Sequence, residues 1–484
     1  MSKIGVIDIG SNSVRMVIFD AMARAPHYLF NEKAMCRLGA GFAETGRLSP
    51  EGVISAKDTL ERFVYLANAM RVSNLEIVAT AAMREASDGA EFVRWVNDTL
   101  NEDVRILSGE DEARMSAQGV LLGWPDANGL VCDIGGSSVE LIEVRDGKVG
   151  QGISMPLGPL RLAGMGDEEI EKTISHKLRK ARKSFEGDVS RIYLVGGSWR
   201  ALAKIDMHRA KYPFPILHEY EMTPKDVKKS LKFADEYSIN ELCDLTGVSF
   251  SRMELVPMAG RVLHGVIKAF EPETLAVSAY GLREGLLFEN MPGWMRTSDP
   301  LLAASEELER ELARFPGFGM QLYQWLAPIR EKYDAATDRL AHAACLLHDT
   351  NWRYHPDFRA QMSFEIIAQA NICGLTHEER LFIALSLASR YENKPDHAIT
   401  HPAINLLASE RAEIATELGR AMRLGAMVSA SVSELLTHTS LENEEGGLVL
   451  RIDKTMRAIY GDSVEKRLLS LGKYSMNDVR IELS

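Results

Sequence analysis

The feature that most constrains this fold is a strand–turn–strand segment that occurs twice in the chain. The sequence reads VIDIGSNS over residues 6–13 and VCDIGGSS over residues 131–138. In each copy an apolar run ends on an aspartate and an isoleucine, a turn of small residues follows, and a second apolar run comes after it. A chain that repeats such a unit is expected to fold into two duplicated lobes that face each other across a cleft.

The chemistry of the two turns favours phosphate binding. Small side chains allow an anion to approach, and successive backbone N–H groups can point into one concavity. Asp8 and Asp133 close the first strands, where a carboxylate can hold a hydrated cation beside that anion. One such turn is typical of an ordinary β-hairpin, but two copies indicate a pair of phosphate loops. The candidate phosphate-binding residues are Gly10, Ser11, Asn12, Ser13, Gly135, Gly136, Ser137 and Ser138.

A third glycine-containing segment follows an apolar run and opens a helical pattern. It contains Gly196, Gly197 and Ser198. Helix N-termini with adjacent glycines favour anions, although a Gly-Gly helix start is structural about as often as functional. The segment is therefore a weaker candidate for a third phosphate loop.

The organisation of the chain predicts an α/β region followed by a helical region. Short β-rich runs alternate with helical patterns as far as residue 290, which is typical of α/β folds. The segment 289–294 contains Pro-Gly and is the best linker candidate. Consecutive helices follow it, and a β-α-β pattern ends the chain. The predicted domains are residues 1–124, 125–290, 300–440 and 441–484.

Composition and charge exclude several classes of protein. No apolar run is long enough to predict a transmembrane helix, and no signal peptide is visible. The five cysteines are scattered without a CxxC pair, which fits a reducing cytoplasm and argues against disulfides or a cysteine zinc site. A net charge of −12 argues against nucleic-acid binding. The basic run at residues 176–183 is either a solvated helix face or a local surface for a polyanion, and it mildly favours polyphosphate.

Six ordered motifs resemble the exopolyphosphatase and guanosine-pentaphosphate phosphatase family of the actin/sugar-kinase/heat-shock ATPase superfamily. The resemblance implies two duplicated ribonuclease-H-like (actin-like) lobes with a cleft between them, then an all-helical HD-like region and a small C-terminal α/β segment. It also implies a homodimer. The motifs are DIGSNSVRMVIFD at 8–20, ATAAMREA at 79–86, LSGEDEA at 107–113, DIGGSSVEL at 133–141, PLGPLRL at 156–162 and YGLREG at 280–285.

The resemblance assigns roles to the residues that match these motifs. Glu112 would activate the attacking water, although an acid in the first turn of a helix can equally serve the helix dipole. Asp133, Glu140 and Asp8 would surround Mg²⁺ or Mn²⁺. Arg84 and Thr80 would lie near the substrate phosphates. Two positions depart from the family pattern: Ser137 replaces a glycine, and Val139 replaces a threonine and so removes a hydroxyl group.

The helical half contains the dyad His348-Asp349. A working HD phosphohydrolase needs further histidine and aspartate ligands in the order H…HD…D, and His342 lies too near to be the upstream ligand. The sequence therefore predicts an HD-like fold that has lost its metal centre.

Four functions are weighed. The first is Mg²⁺-dependent release of terminal orthophosphate from inorganic polyphosphate, and the second is removal of the 5′ γ-phosphate of guanosine pentaphosphate (pppGpp), with dual activity open. A kinase or ATP-driven chaperone is disfavoured because Glu112 in its motif is a hydrolase feature. A non-catalytic sensor of guanosine alarmones such as ppGpp is disfavoured because all three acidic residues Glu112, Asp133 and Glu140 are present.

Overall fold

The computed structural model describes residues 2–444 and 446–483 and divides the chain into two compact units, Met1–Ser298 and Asp299–Ser484. The division falls just after the predicted linker 289–294, which holds the end of one helix and the start of the next. The finer boundaries at 124/125 and 440/441 stay predictions.

The strands of the first unit form two sheets. The first sheet has the order β3-β2-β1-β4-β5 and the second has the order β10-β11-β9-β6-β7-β8. Their strands are β1 (Lys3–Ile9), β2 (Val14–Phe19), β3 (Tyr28–Ala34), β4 (Val72–Ala79), β5 (Val104–Ile106), β6 (Gly129–Ile134), β7 (Val139–Arg145), β8 (Lys148–Met155), β9 (Arg191–Val195), β10 (Tyr220–Met222) and β11 (Thr274–Val277).

The two sheets repeat one topology, as the duplicated segments predict. In the first, β1 and β2 pair antiparallel, β3 extends that hairpin, and β4 and β5 add in parallel beside β1. In the second, β6, β7 and β8 repeat the antiparallel part, and β9 and β11 repeat the parallel part. We call the regions built on these sheets the first and second lobes. The apolar runs of the sequence predict β1, β2, β4, β5, β6, β7 and β9, but they do not predict β3, β8, β10 and β11.

The strand alternation explains where the two aspartates point. Ile7 and Ile9 belong to the core of the first lobe, and Cys132 and Ile134 belong to the core of the second. Successive side chains of a strand point to opposite faces. Asp8 lies between Ile7 and Ile9, and Asp133 lies between Cys132 and Ile134. Because these flanking side chains are buried in the core, each aspartate carboxylate lies on the opposite face of its sheet.

The helices of the first unit cover the sheets. They are α1 (Phe42–Thr45), α2 (Pro50–Ala69), α3 (Ala81–Glu85), α4 (Gly89–Leu100), α5 (Gly109–Gly123), α6 (Pro159–Leu162), α7 (Asp167–Arg182), α8 (Gly197–Arg209), α9 (Pro224–Ala234), α10 (Ile239–Thr246), α11 (Phe250–Met253), α12 (Val256–Phe270), α13 (Leu282–Glu289) and α14 (Gly293–Arg296).

The second unit is helical and ends on a small sheet. The sheet has the order β12-β13-β14, with β12 and β13 antiparallel and β14 parallel to β13. Its elements are α15 (Pro300–Leu312), α16 (Phe318–Trp325), α17 (Ala327–Arg330), α18 (Ala335–Leu347), α19 (Arg359–Gln369), α20 (His377–Tyr391), α21 (Asp396–Thr400), α22 (Ser409–Ser429), α23 (Ser433–Leu436), β12 (Thr439–Glu444), β13 (Gly447–Ile452), α24 (Asp462–Ser475) and β14 (Val479–Leu483).

Two helices expected in this unit are broken in the structure. The apolar pattern at 322–335 predicts one helix, but Pro328 lies in the first turn of the separate helix α17, and Asp334 caps α18 by accepting from the Thr337 N–H. The pattern at 412–436 also predicts one helix, but α22 ends where Ala430 and Ser431 adopt φ values of 52° and 62°. Within the described residues, no helix is both long and apolar enough to cross a membrane.

Candidate active site

Both duplicated turns and the third loop open onto one cavity of about 230 Å³ between the two lobes, which we call the interlobe cavity. Residues from distant parts of the first unit therefore share one site. The predicted site residues that line it are Asp8, Gly10, Ser11, Asn12, Ser13, Thr80, Glu112, Asp133, Gly135, Gly136, Ser137, Gly196, Gly197 and Ser198.

The two turns have the same hydrogen-bond geometry. The Gly10 N–H donates to the Ser13 carbonyl at 3.0 Å, and the Gly135 N–H donates to the Ser138 carbonyl at 3.0 Å. Within the described residues, the next three N–H groups of each turn (11–13 and 136–138) donate no hydrogen bond. Each hairpin therefore offers unpaired donors, as an anion-binding turn requires. Ser137 does not have a positive φ, so the serine that stands here in place of the glycine expected from the family pattern causes no backbone strain.

The third loop brings the start of α8 against the second hairpin. Gly196 has a φ of 118°, and a Cβ at this position would lie 2.6 Å from the Ile134 carbonyl oxygen and 3.3 Å from Asp133 Oδ1. Only glycine fits this approach. Because the helix begins at Gly197, its unpaired N–H groups and the positive end of its dipole lie at the cavity.

Three acidic residues predicted as metal ligands have different surroundings. Asp8 forms an ion pair with Arg283 at 2.9 Å. Asp133 accepts a hydrogen bond from the Ser116 hydroxyl. Glu140 lies opposite Asp133 in the β6–β7 ladder, but it is buried, does not line the cavity, and accepts a hydrogen bond from the Ser154 hydroxyl at 2.7 Å. Of the three, Asp133 is the carboxylate best placed to meet a ligand in the cavity.

Glu112 lies in the first turn of α5 and is not needed to cap that helix. The cap is formed by Ser108, whose hydroxyl oxygen accepts from the Asp111 N–H at 3.0 Å. Oε2 of Glu112 is buried and has no hydrogen-bond partner among the described residues. Its nearest cation is Arg84, whose Nη1 lies 3.7 Å away and also donates to the Leu107 carbonyl at 2.6 Å. Glu112 is thus available for a ligand, and Arg84 touches Glu112 rather than lining the cavity.

The carboxylates raise one another's pKa values. Burial, and then repulsion from Glu140 and Asp133, raises the pKa of Glu112 well above its usual range. Burial and the charge of Asp133 raise the pKa of Glu140 to about 7. Burial also raises the pKa of Asp133, although the hydrogen bond from Ser116 opposes it. Burial is the largest cause of each of these shifts, because it disfavours the charged form of a carboxylate.

This carboxylate set suits a divalent cation shared with a substrate. Among the described residues, no three His, Cys, Asp or Glu side chains lie close enough to form a complete protein cage. Mg²⁺, however, usually takes only one or two carboxylates and fills its remaining positions with water and substrate phosphates. The buried Oε2 of Glu112, which has no hydrogen-bond partner among the described residues, and the raised pKa values of Asp133 and Glu140 fit such a partial site.

The structure adds cationic residues that the sequence interpretation missed. The interlobe cavity is also lined by Arg15, Lys33, Arg200, Arg252 and Arg283. Arg283 alone of these forms an ion pair among the described residues, and the side chain of Arg252 makes no hydrogen bond there either. Burial, and then repulsion from Arg283, lowers the pKa of Arg15 to about 10. The cavity therefore presents cations that an anionic ligand can neutralise.

Sequence signals existed for some of these cations. Arg15, Arg200 and Arg283 lie within or beside segments already singled out as motifs, whereas Lys33 and Arg252 belong to no motif. The basic run 176–183 does not line the cavity. It lies mostly on α7, whose core-facing positions are Ile174, Leu178 and Ala181, and this arrangement favours the interpretation as a solvated helix face.

The dyad of the second unit is buried and engaged in contacts within that unit. His348 Nδ1 lies 2.9 Å from the Cys345 carbonyl oxygen, and burial lowers the pKa of His348 to about 3. Asp349 accepts two hydrogen bonds of 2.7 Å from Arg314 and one of 3.4 Å from Arg390. Burial alone would raise the pKa of Asp349, but these two arginines lower it. The carboxylate of Asp349 is therefore held by guanidinium groups.

Changing His348 and Asp349 together to alanine is expected to lower stability much more than activity. The change removes a buried ring and leaves the guanidinium groups of Arg314 and Arg390 without their carboxylate, which costs about 3–5 kcal/mol. Urea unfolding measures the free-energy loss, and phosphate release at low temperature measures the activity. A tightly bound metal ion that disappears in the double variant would contradict this account.

Comparison with known proteins gives consistent matches over both units. A family model described as the Ppx/GppA phosphatase family matches residues 17–293, and one described as "Exopolyphosphatase, C-terminal" matches residues 301–481. A guanosine-5′-triphosphate,3′-diphosphate pyrophosphatase of Aeromonas salmonicida is 25% identical over 471 residues, covering 93% of this chain and 92% of the relative. Exopolyphosphatase 1 of Mycobacterium bovis is 25% identical over 304 residues, covering 60% and 88%.

Solved structures match about 60% of the chain. The crystal structure of an exopolyphosphatase from Cytophaga hutchinsonii has a TM-score of 0.53 and 25% sequence identity, and the match covers 59% of this chain and 97% of that one. A crystal structure of the Aquifex aeolicus Ppx/GppA family member has a TM-score of 0.52 and 27% identity, covering 60% and 99%. These likenesses, together with the repeated sheet topology, give the first unit its two-lobed, actin-like architecture.

Proposed function

The chain belongs to the Ppx/GppA phosphatase family, and we propose that it releases terminal orthophosphate from inorganic polyphosphate. One observation carries the proposal: two hairpins with unpaired N–H groups, a helix N-terminus and unneutralised cations surround a cavity that is also lined by Glu112, whose buried Oε2 has no hydrogen-bond partner among the described residues. Such a cavity suits a chain end that carries several phosphate charges and must meet a water molecule.

The protein groups divide the work of hydrolysis between them. The N–H groups of the two hairpins and the start of α8 bind and orient the terminal phosphoryl oxygens, with Thr80 beside them. Arg15, Arg200 and Arg252 balance the charge of the phosphates. Glu112 accepts a proton from the attacking water as that water approaches the terminal phosphorus. Arg84, whose Nη1 lies 3.7 Å from Oε2 of Glu112, helps to hold that carboxylate in position. Phosphoanhydride hydrolysis depends mainly on such positioning and charge balance.

We propose Mg²⁺, with Mn²⁺ as a substitute, as the cofactor. Asp133 would hold it from the cavity wall, with Glu140 beneath and Asp8 across the cleft. A bound divalent ion would neutralise charge on the phosphate oxygens. Asp8 could approach the ion only if its ion pair with Arg283 were loosened, so Asp133 is the main ligand in this proposal.

Guanosine pentaphosphate is the alternative substrate, and it presents the same terminal bond. The relative that matches both units is named for it, whereas the description matching 301–481 names exopolyphosphatase. Phosphate release from long polyphosphate and from pppGpp, at equal concentrations of phosphate ends, tests the choice. Faster release from polyphosphate supports the proposal, comparable release supports dual activity, and release from pppGpp alone would overturn it.

Arg252→Gln is expected to raise the KM for polyphosphate about tenfold or more, with a smaller change in kcat. Arg252 lines the cavity, and its side chain has no hydrogen-bond or ion-pair partner in the described part of the chain, so its charge can meet the substrate. A hydrogen bond to a charged group contributes about 1.5–3 kcal/mol. Steady-state phosphate release measures both constants. Lys180→Gln, on the exposed face of α7, is the control and should leave KM unchanged. A higher KM in the control alone would place the substrate path on α7.

Further properties stay proposals from the resemblance and the sequence. We propose that the helical unit is an HD-like fold without a metal centre, since Asp349 is occupied by Arg314 and Arg390. A homodimer and a cytoplasmic location are proposed in the same way, and all five cysteines are free thiols. The proposed partners are polyphosphate, pppGpp and ppGpp, without nucleic acid or membrane.

A further inference from the structure

The second unit contains a cavity of its own, of about 400 Å³, that the proposed hydrolysis does not use. Four arginines line it: Arg314 follows α15, Arg359 begins α19, Arg390 lies near the end of α20, and Arg423 lies on α22. We call it the arginine cavity. Four separate parts of the chain thus direct guanidinium groups to one place.

These guanidinium groups have few anionic partners. Asp349 serves both Arg314 and Arg390, as described above. Arg359 donates from Nε to the Tyr354 carbonyl at 2.9 Å, and Arg423 donates from Nη1 to Asn393 Oδ1 at 3.2 Å. Both of these acceptors are uncharged. Among the described residues, Asp349 is thus the only carboxylate that is hydrogen-bonded to any of these four guanidinium groups.

The positive charge of the arginine cavity is also partly buried. Arg390 is only 7% exposed, and its Nε has no hydrogen-bond partner among the described residues. Burial, and then repulsion from Arg467 and Arg390, lowers the pKa of Arg423 to about 10, while Glu392 opposes the shift. Like charges held together in this way are unfavourable unless an anion neutralises them.

We propose that the arginine cavity binds a compact phosphorylated ligand through a diphosphate or oligophosphate group. Guanidinium groups bind phosphate oxygens in pairs, and four of them match a ligand with several phosphoryl charges. The volume suits a small molecule. Tyr391, Ala426, Met427 and Ala430 form a less polar wall that can accept a nucleoside beside the phosphates. The shared chemistry is the phosphate group, and its source is inorganic oligophosphate or a nucleotide.

Protection of the arginines from phenylglyoxal, followed by peptide mass spectrometry, tests the site on the full chain. The probes are methylenebisphosphonate and guanosine 5′-(α,β-methylene)diphosphate, which contain no cleavable bridging oxygen between the phosphorus atoms. Either probe should slow modification of Arg359 and Arg423 about tenfold or more. Exposed Arg353 does not line the cavity and serves as the internal reference. Equal protection by both probes would indicate recognition of phosphate alone, and protection at lower concentration by the guanosine probe would indicate that the nucleoside also binds.

Binding stoichiometry provides the second measurement. In equilibrium dialysis with either probe, the wild type should show one more binding site than the double variant Arg359→Gln/Arg423→Gln. The matched variant Arg353→Gln should bind as the wild type does. The interlobe cavity is unchanged in the double variant, so its site should remain. Unprotected Arg359 and Arg423 in the wild type would overturn the proposal even if the double variant failed to fold, and so would wild-type stoichiometry in a folded double variant.

Discussion

Glu112→Gln is expected to lower kcat for phosphate release by about 10²-fold or more, with little change in KM. The substitution keeps the shape of the side chain but removes its ability to accept a proton. Glu112 is the candidate base because its Oε2 is buried without a hydrogen-bond partner at the wall of the interlobe cavity. Burial and neighbouring carboxylates raise its pKa, which makes it a stronger proton acceptor than an exposed glutamate.

Glu110→Gln is the matched control for this experiment. Glu110 lies in the same first turn of α5, is exposed, and does not line the cavity. Both substitutions remove one negative charge from the positive end of the helix dipole. If Glu112 served only the dipole, the two variants would behave alike, and both would keep near-wild-type turnover with a small loss of stability.

Removal of divalent metal is expected to lower activity by about 10²-fold or more, and added Mg²⁺ should restore it. Asp133→Asn should raise the Mg²⁺ concentration that gives half-maximal activity about tenfold or more. The asparagine can still accept the hydrogen bond from Ser116, so the change removes charge more than structure. Phosphate release measured across a Mg²⁺ titration, with and without EDTA, gives both values.

Protons should compete with the metal at this site. The raised folded-state pKa values mean that more of the carboxylates are protonated below pH 7 than in ordinary surroundings, and Glu140 titrates near pH 7. The Mg²⁺ requirement should therefore increase as the pH falls from 8 to 6. Asp126→Asn, at an exposed position before β6, should leave the titration unchanged. Full activity in excess EDTA would contradict the metal site.

The duplicated part of the fold could be predicted because its information is local. The residues around Asp8 and Asp133 have the pattern of a strand, a turn and a second strand. The apolar residues on either side of each aspartate determine on which face of the sheet its carboxylate lies. Strands β3, β8, β10 and β11 carry weaker local patterns. β3 (Tyr28–Ala34), for example, has no fully buried position. It lies at the edge of the first sheet, where it pairs with β2.

Most of the loop residues that line the interlobe cavity belong to motifs that the sequence singles out, whereas the five cations of the cavity were missed. Arg252 comes from the four-residue helix α11, and Lys33 comes from an edge strand. Neither position has a neighbouring pattern that indicates a ligand. The basic run 176–183 shows the converse, because a dense local charge pattern lies on a helix that does not line the cavity. The tertiary fold, rather than the local density of basic residues in the sequence, determines which cations line the cavity.

Hydrolysis in water enriched in ¹⁸O tests the central claim most directly. Purified protein with Mg²⁺ and polyphosphate should release orthophosphate one unit at a time, and each orthophosphate should carry one oxygen from the solvent. Glu112→Gln should slow this labelled release, while Glu110→Gln should not. Orthophosphate without solvent oxygen, or transfer of the phosphoryl group to an added nucleoside diphosphate in place of water, would contradict the account.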